Sequence, residues 1–182
     1  PPSKLDLEHS EATLYKNQII YESGDVERAL KHLDEVVRVS LDRCAALELK
    51  AKYLLELGQK EEAEKAYRIL LGRNSEYRAY FDGLEKSLGL DRSNDADIEK
   101  LNELYQSFAS KNERNDAARR IPLDFLQGEA FKTQVDQYLR RMLNKGVPST
   151  FPNIKSLYQD EEKKAVICLL YTSPSPRDRS LS

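Results

Sequence analysis

Cysteine, tryptophan, glycine and proline are scarce in this sequence of 182 residues, which contains 2 Cys, no Trp, 7 Gly and 7 Pro. The cysteines, Cys44 and Cys168, are too few for a disulfide framework, and neither is accompanied by paired histidine ligands. We therefore expect free thiols in a reducing compartment. Because turn formers are few and charged residues make up 33% of the chain, amphipathic helices are favoured over a sandwich of short strands.

An excess of one charge is also missing, because 29 basic residues are balanced by 31 acidic ones and the net charge is -2. Such a chain has no overall field that attracts nucleic acid, so we expect no DNA partner. No apolar run approaches the ~20 residues of a membrane span, and no signal-peptide pattern is present. We expect a cytoplasmic protein without a membrane partner. Because the sequence begins at Pro1 rather than Met, we also expect an internal piece of a longer protein.

An internal repeat is the strongest feature that is present. Gly24 and Gly58 lie 34 positions apart, and so do Ala29 and Ala63. Each Gly suits the tight turn that ends the first helix of a pair, and each Ala suits the close crossing of the two helices. Tyr67 follows Ala63 by four positions, where an apolar side chain fills the seam with the next repeat. This spacing is the tetratricopeptide period.

The period predicts an all-α fold, a tetratricopeptide-type helical-repeat solenoid of antiparallel helix pairs. The predicted helices are 10–23 with 26–41, 43–57 with 60–73, and a degenerate third pair, 76–88 with 96–109. Ser10 and Asp25 have side chains that suit helix N-caps. These pairs form a predicted first domain, residues 1–110.

A connector and further solenoid helices are predicted for residues 111–167. The segment 119–126 is predicted to be extended, because Pro122 disfavours helical backbone at Ile121. An amphipathic helix over 129–144 follows, and Gly146 and Pro148 are typical of its end. Two shorter helices are predicted over 150–159 and 160–167.

The last segment, residues 168–182, differs from the rest of the chain in composition. It holds Pro174 and Pro176 among several serines and has no periodic apolar face, which predicts a disordered tail. The segment also resembles translated sequencing-adapter sequence. We therefore predict that it is an artefactual tail and exclude it from functional interpretation.

The residues that catalysis needs are not gathered by any motif. The glycines are isolated, so no loop is suited to holding the pyrophosphate of a cofactor. His9 and His32 are the only histidines, and no nucleophile is paired with either of them. We predict that the chain is not an enzyme and holds no catalytic, cofactor-binding or metal-binding residues.

Binding is the class of function that the pattern favours. The first helices of tetratricopeptide pairs line a concave groove, and we call the polar and aromatic residues predicted to face it the groove residues. They are Gln18, Tyr21, Glu22, Glu48, Lys52, Glu56 and Lys86. A second candidate is a basic patch that could meet rRNA phosphates or an inositol phosphate. Its residues are Arg114, Arg119, Arg120, Arg140, Arg141 and Lys145. Acidic residues lie close to this patch in the sequence and weaken that hypothesis.

The chain also resembles a known family over residues 1–167. The matching segments are 14–18, 73–76, 79–86, 119–131, 145–148 and 156–158. The irregular block Arg119-Arg120-Ile121-Pro122-Leu123 and its continuation are the most specific, because generic repeat matches are common. The chain resembles an internal piece of the auxiliary, ribosome-anchoring subunit of the NatA N-terminal acetyltransferase complex.

That resemblance implies a non-catalytic scaffold that wraps the catalytic acetyltransferase subunit and helps to place it at the ribosome. It implies that acetyl-CoA binds to the catalytic partner, with no cofactor in this chain. It also implies that an inositol polyphosphate can sit at the subunit interface elsewhere in the protein. The complex acetylates nascent chains that begin with small residues after Met removal.

Two other classes of binding protein remain open at this point. A tetratricopeptide adaptor would grip a short peptide in its groove, and Lys16 and Asn17 would suit a clamp for a terminal carboxylate, although Leu14, Ala45 and Glu48 interrupt it. The irregular block after residue 118 is not needed by such an adaptor. An RNA-binding helical repeat would need a strongly basic face, and the balanced charge argues against one.

Overall fold

Helices form the whole of the regular structure in a computed structural model that describes residues 3–37 and 42–172. The α-helices are α1 Lys4–Glu22, α2 Val26–Val36, α3 Arg43–Glu56, α4 Lys60–Arg73, α5 Arg78–Leu88, α6 Asp95–Lys111, α7 Ala117–Arg120, α8 Pro122–Phe125, α9 Gly128–Asn144, α10 Thr150–Ile154 and α11 Glu161–Thr172. A 3₁₀ helix, Lys155–Gln159, lies between α10 and α11. The predicted all-α, helical-repeat fold class is confirmed.

Acidic and hydroxyl side chains start the first three helices. Ser3 and Asp6 form a capping box, in which each side chain accepts a hydrogen bond from the other residue's backbone N–H. The prediction that Ser10 caps α1 is therefore wrong, and Ser10 lies buried within the helix. Asp25 caps α2 as predicted, by accepting from the N–H of Arg28. Helix α2 ends at Val36, and the rest of its predicted range lies largely outside the described residues.

The repeat has the structural role that its spacing predicts. Gly24 and Gly58 end α1 and α3 with φ of 90° and 75°, values that only glycine adopts without strain. Ala29 and Ala63 are fully buried, where α2 and α4 pack on α1 and α3. Helix α3 also packs on α2, and α5 on α4. Successive helices therefore stack in chain order, as in a tetratricopeptide array.

The chain divides into two compact units, residues 1–91 and 92–182. The boundary falls between α5 and α6, earlier than the predicted domain boundary after residue 110, so the predicted third helix pair is split between units. In the first unit, Leu33 and Tyr53 are buried in a cluster with the two alanines Ala29 and Ala46. In the second unit, α9 packs against α7, α8, α10 and α11.

The predicted extended connector is wrong, because α7 and α8 occupy most of it. Ile121 has φ of -57° and ψ of -43°, which is helical backbone. Pro122 is the first residue of α8, where its missing N–H has no intrahelical partner to lose. Burial of Ile121 and Leu123 outweighs the local preference of the residue before proline.

The C-terminal helix is longer than predicted. Helix α11 continues to Thr172, so the tail predicted to begin at residue 168 is helical over its first five positions. Residues 173–182, which hold the rest of that predicted tail, lie outside the described part of the chain. Within residues 3–37 and 42–172, no helix has the length and apolar character that would cross a membrane.

Candidate functional site

Three of the groove residues, Tyr21, Lys52 and Glu56, form one connected cluster with Tyr53 on α1 and α3, which we call the tyrosine cluster. The ring of Tyr21 stacks on that of Tyr53, with centroids 4.8 Å apart and an interplanar angle of 17°. Lys52 Nζ lies 4.5 Å from the centroid of the Tyr21 ring, which is a cation–π contact. The Tyr21 hydroxyl donates to Glu56 Oε1 at 2.6 Å. These contacts hold the side chains from α1 and α3 in one arrangement, although all but Tyr53 reach solvent.

A buried asparagine, Asn17, holds Tyr53 of this cluster in place through a hydrogen bond. Asn17 is 0% exposed, and its Nδ2 donates to the carbonyl oxygen of Ala29 at 2.7 Å. The same nitrogen lies 3.2 Å from Nδ1 of His32. Asn17 Oδ1 accepts from the Tyr53 hydroxyl at 2.7 Å. Since the Asn17 side chain is engaged by three neighbours, it is not available to clamp the carboxylate of a peptide.

Burial and nearby carboxylates raise the pKa values of two tyrosines, Tyr53 and Tyr80. Burial, together with the nearby Tyr21 and Glu56, raises the pKa of Tyr53 to about 12. Tyr80 of α5 donates a hydrogen bond to Glu48. Burial and that bond also raise the pKa of Tyr80. Both phenols therefore stay protonated at neutral pH, and the carboxylates of Glu48 and Glu56 accept from tyrosine hydroxyls.

Gln18, Glu22 and Lys86, the groove residues outside these contacts, are exposed. Gln18 Nε2 donates to Glu22 Oε1 at 2.9 Å along the same helix. Lys86 is exposed on the last turn of α5. The sequence pattern located the groove residues on these helices, but it did not single out Asn17 and Tyr53 as the residues that hold the cluster together.

The candidate basic patch does not form one exposed cationic surface. Arg120 is only 4% exposed, and it donates to the Asn153 carbonyl at 2.8 Å, Asp124 at 2.7 Å and Ser156 at 2.9 Å. The prediction that Arg120 is part of a surface patch is wrong, because it ties α7 to α10 and the 3₁₀ helix. Arg119 is half-buried and donates to the backbone carbonyls of Ala109, in α6, and Asn115, in the loop after it.

The other members of the patch are exposed or partly exposed, and most pair with carboxylates. Arg140 donates to Asp136 at 2.8 Å, and this contact raises the pKa of the guanidinium. Arg141 and Lys145 both approach the carboxylate of Asp116, at 3.3 and 3.2 Å. Arg114 is exposed on the loop after α6. The structure thus brings Arg141 and Lys145 together and leaves Arg140 in a separate pair.

Sequence reasoning missed a buried lysine in the second unit. Lys163 of α11 is 4% exposed, and its Nζ donates to the carbonyl oxygens of Leu123 at 2.9 Å and Asp124 at 3.0 Å. It also lies 5.2 Å from the centroid of the Phe131 ring. Burial lowers the pKa of Lys163. Lys163 and Arg120 therefore hold α7 and α8 against the C-terminal helices.

No group of His, Cys, Asp and Glu side chains with the geometry of a metal site occurs in the described residues. The fold and the tyrosine cluster define a helical-repeat protein of the tetratricopeptide type, whose first helices present a preorganised set of polar and aromatic side chains.

Comparison with known proteins identifies the family. Residues 7–176 match the family described as N-terminal acetyltransferase A, auxiliary subunit, and the chain belongs to that family. It is 40% identical over 171 residues to the N-terminal acetyltransferase A complex auxiliary subunit NAA15 of Arabidopsis thaliana, covering 92% of this chain. It is 34% identical over 173 residues to human N-alpha-acetyltransferase 16, NatA auxiliary subunit, covering 95% of this chain.

A solved structure shows the same fold. A chain of the structure of Naa15/Naa10 bound to HypK-THB is 51% identical and superposes with a TM-score of 0.85. The match covers 93% of this chain and 25% of that chain. This chain spans 19% of the length of the plant and human relatives. The family match also reaches residue 176, inside the segment that the sequence analysis excluded.

Proposed function

We propose that this chain is part of a non-catalytic scaffold subunit of an N-terminal acetyltransferase complex. The observation that carries the proposal is its 51% identity to a chain from a structure of Naa15 with Naa10. In this function the chain wraps the catalytic subunit and helps to place it at the ribosome in the cytoplasm. Acetyl-CoA binds to the catalytic partner, which acetylates nascent N-termini.

The tyrosine cluster is suited to such a role. A binding surface gains affinity when its side chains are already ordered, because less conformational entropy is lost on association. Tyr21 is held by stacking, by its bond to Glu56 and by Lys52. Tyrosine is also enriched where protein interfaces concentrate their binding energy. We therefore place a contact with the catalytic subunit at the groove residues of α1 and α3.

The alternative, a generic adaptor that grips a peptide carboxylate in the groove, has less support. That mechanism needs an exposed asparagine amide beside a cation, and Asn17 is buried and engaged by Ala29, His32 and Tyr53. The neighbouring groove positions Glu22, Glu48 and Glu56 are acidic and would repel a carboxylate.

Co-expression with a catalytic acetyltransferase subunit tests the proposal. The tagged chain should co-purify with that subunit and with acetylation activity on a peptide that begins with Ser. Lys52→Glu should reduce the amount recovered, because it removes the cation over Tyr21 and reverses its charge. Lys65→Glu is the matched control, since Lys65 is an exposed lysine on α4. Failure to recover the subunit, or equal losses with both variants, would contradict the proposal.

A further inference from the structure

A polar cavity of about 400 Å³ opens in the second unit, lined by α6, α7 and α9. The polar residues that line it are Gln106, Ser110, Arg119, Gln134, Gln137 and Arg141. Ala109, Ala118 and Tyr138 complete the wall. In the described part of the chain, the residues that line this cavity include two arginines and neither Asp nor Glu.

The cavity has a positively charged wall. Arg141 Nε lies 3.3 Å from Asp116 Oδ1, and Lys145 Nζ lies 3.2 Å from the same atom. Because two cations approach one carboxylate, part of their charge remains to attract an anion. The guanidinium of Arg119 adds to this charge from α7. Such a cavity favours a negatively charged group over a neutral or basic one.

Both guanidinium groups are oriented before any ligand binds. Arg119 donates through Nη2 to the Ala109 carbonyl at 2.8 Å and through Nη1 to the Asn115 carbonyl at 2.7 Å. Arg141 donates to the backbone carbonyl of Glu113 as well as to Asp116. A planar guanidinium that is fixed in this way loses little side-chain entropy when it donates hydrogen bonds to a carboxylate.

The glutamine side chains that line the cavity favour a peptide over a simple anion as its ligand. A glutamine amide both donates and accepts, which is the complement of a peptide backbone, whereas an inorganic anion needs donors only. Three glutamines line the cavity, one from α6 and two from α9. The amide of Gln134 is oriented by its donation to Asn102 Oδ1 at 2.8 Å. The lining thus offers groups for amides as well as for a carboxylate.

We propose that this cavity binds an acidic peptide segment of a partner protein. A carboxylate of the segment lies at Arg119 and Arg141, and its backbone amides lie at the glutamines. The residues that line this cavity belong to the second unit, whereas the groove residues belong to α1, α3 and α5 of the first unit. A scaffold that has this cavity as well as the groove residues would bind two partners, each through a different set of side chains.

Isothermal titration calorimetry with the whole chain tests the proposal, using a blocked peptide of four glutamates as the probe and a peptide of four glutamines as its neutral counterpart. The glutamate peptide should bind and the glutamine peptide should bind much more weakly. Arg141→Gln should weaken binding roughly tenfold or more, which is the loss expected for a charge-assisted hydrogen bond. Gln137→Glu should have a similar effect by placing a carboxylate in the cavity.

Arg140→Gln is the matched control. It lowers the net charge by one, as both test variants do, but Arg140 pairs with Asp136 and does not line the cavity. We expect its affinity to change less than about twofold, because Arg140 is exposed to solvent and its charge is already paired with Asp136. Gln137→Glu leaves the Arg141 side chain in place, so it tests the cavity even if Arg141→Gln fails to fold by circular dichroism.

Three results would overturn the proposal. One is the absence of binding by the glutamate peptide. Another is an equal loss of affinity in Arg140→Gln and Gln137→Glu, which would indicate general attraction to a charged surface. The third is binding of inorganic phosphate as tightly as the peptide and with the same dependence on Arg141, which would indicate a small-anion site.

Discussion

The ring of Tyr67 on α4 occupies the space that a side chain at Gly83 on α5 would need. A Cβ atom added to Gly83 would overlap the Tyr67 ring. Both residues are buried, and α4 and α5 pack against each other along this line. Tyr67 follows Ala63 by four positions, so the seam that the repeat predicts between consecutive pairs depends on a glycine in the next helix.

Gly83→Ala should destabilise the protein by about 1–3 kcal/mol, which is typical of an overpacked core. Urea denaturation followed by circular dichroism measures the change. The matched control is Gly72→Ala, because Gly72 is also helical but a Cβ there would meet nothing within 4 Å. That variant should be neutral or more stable by up to about 1 kcal/mol, since alanine favours helix. Equal stability of both variants would contradict the close packing at Gly83.

Asn17→Ala should lower the free energy of unfolding by about 2–3 kcal/mol, because it leaves buried groups of Ala29 and Tyr53 without their hydrogen bonds. Urea denaturation of this variant and of Gln18→Ala compares their free energies of unfolding. Gln18 is the next residue and is exposed, so its substitution should change stability by no more than about 0.5 kcal/mol. A small effect at Asn17 would mean that the buried network contributes little.

Lys163→Met should destabilise the protein by about 1–3 kcal/mol, since the carbonyls of Leu123 and Asp124 lose a charged donor. Hydrogen exchange should show faster opening of α7 and α8 in this variant. Lys164→Met is the control, because Lys164 is exposed and pairs with Glu161 on the surface. If both methionine variants were equally stable, Lys163 would not be the residue that fastens α8.

The repeat was predictable because its signal is local and periodic. The spacing of Gly24 and Gly58 located the turns, and α4 has the predicted bounds. The connector was not predictable from Pro122, because burial of Ile121 decided its conformation. Sequence also cannot distinguish Arg120, which is buried among carbonyl and carboxylate oxygens, from Arg140, which is exposed. Whether a charged side chain meets a backbone carbonyl depends on contacts between residues far apart in the chain.

Alkaline pH should weaken the first unit through Tyr53. The unfolded chain loses a tyrosine proton near pH ~10, whereas burial raises the pKa of Tyr53 in the folded protein to about 12. Because the folded state binds this proton more tightly, its contribution to stability is complete below the unfolded pKa and is lost as pH rises toward the folded one. Stability of the wild type should fall more steeply between these values than that of Tyr53→Phe.

Urea midpoints measured at several alkaline pH values compare the two proteins. Tyr15→Phe is the control, because it removes an exposed tyrosine and should leave the pH dependence unchanged. Identical slopes for Tyr53→Phe and the wild type would show that Tyr53 is not the residue responsible.

The proposed contact with a catalytic acetyltransferase subunit lies on α1 and α3, the first helices of the two repeats. Hydrogen–deuterium exchange of the chain, alone and with that subunit, tests it most directly. We expect slower exchange in α1 and α3 around Tyr21, Lys52 and Glu56 when the subunit is present. Unchanged exchange there, with protection confined to α2 and α4, would contradict a contact on the first helices.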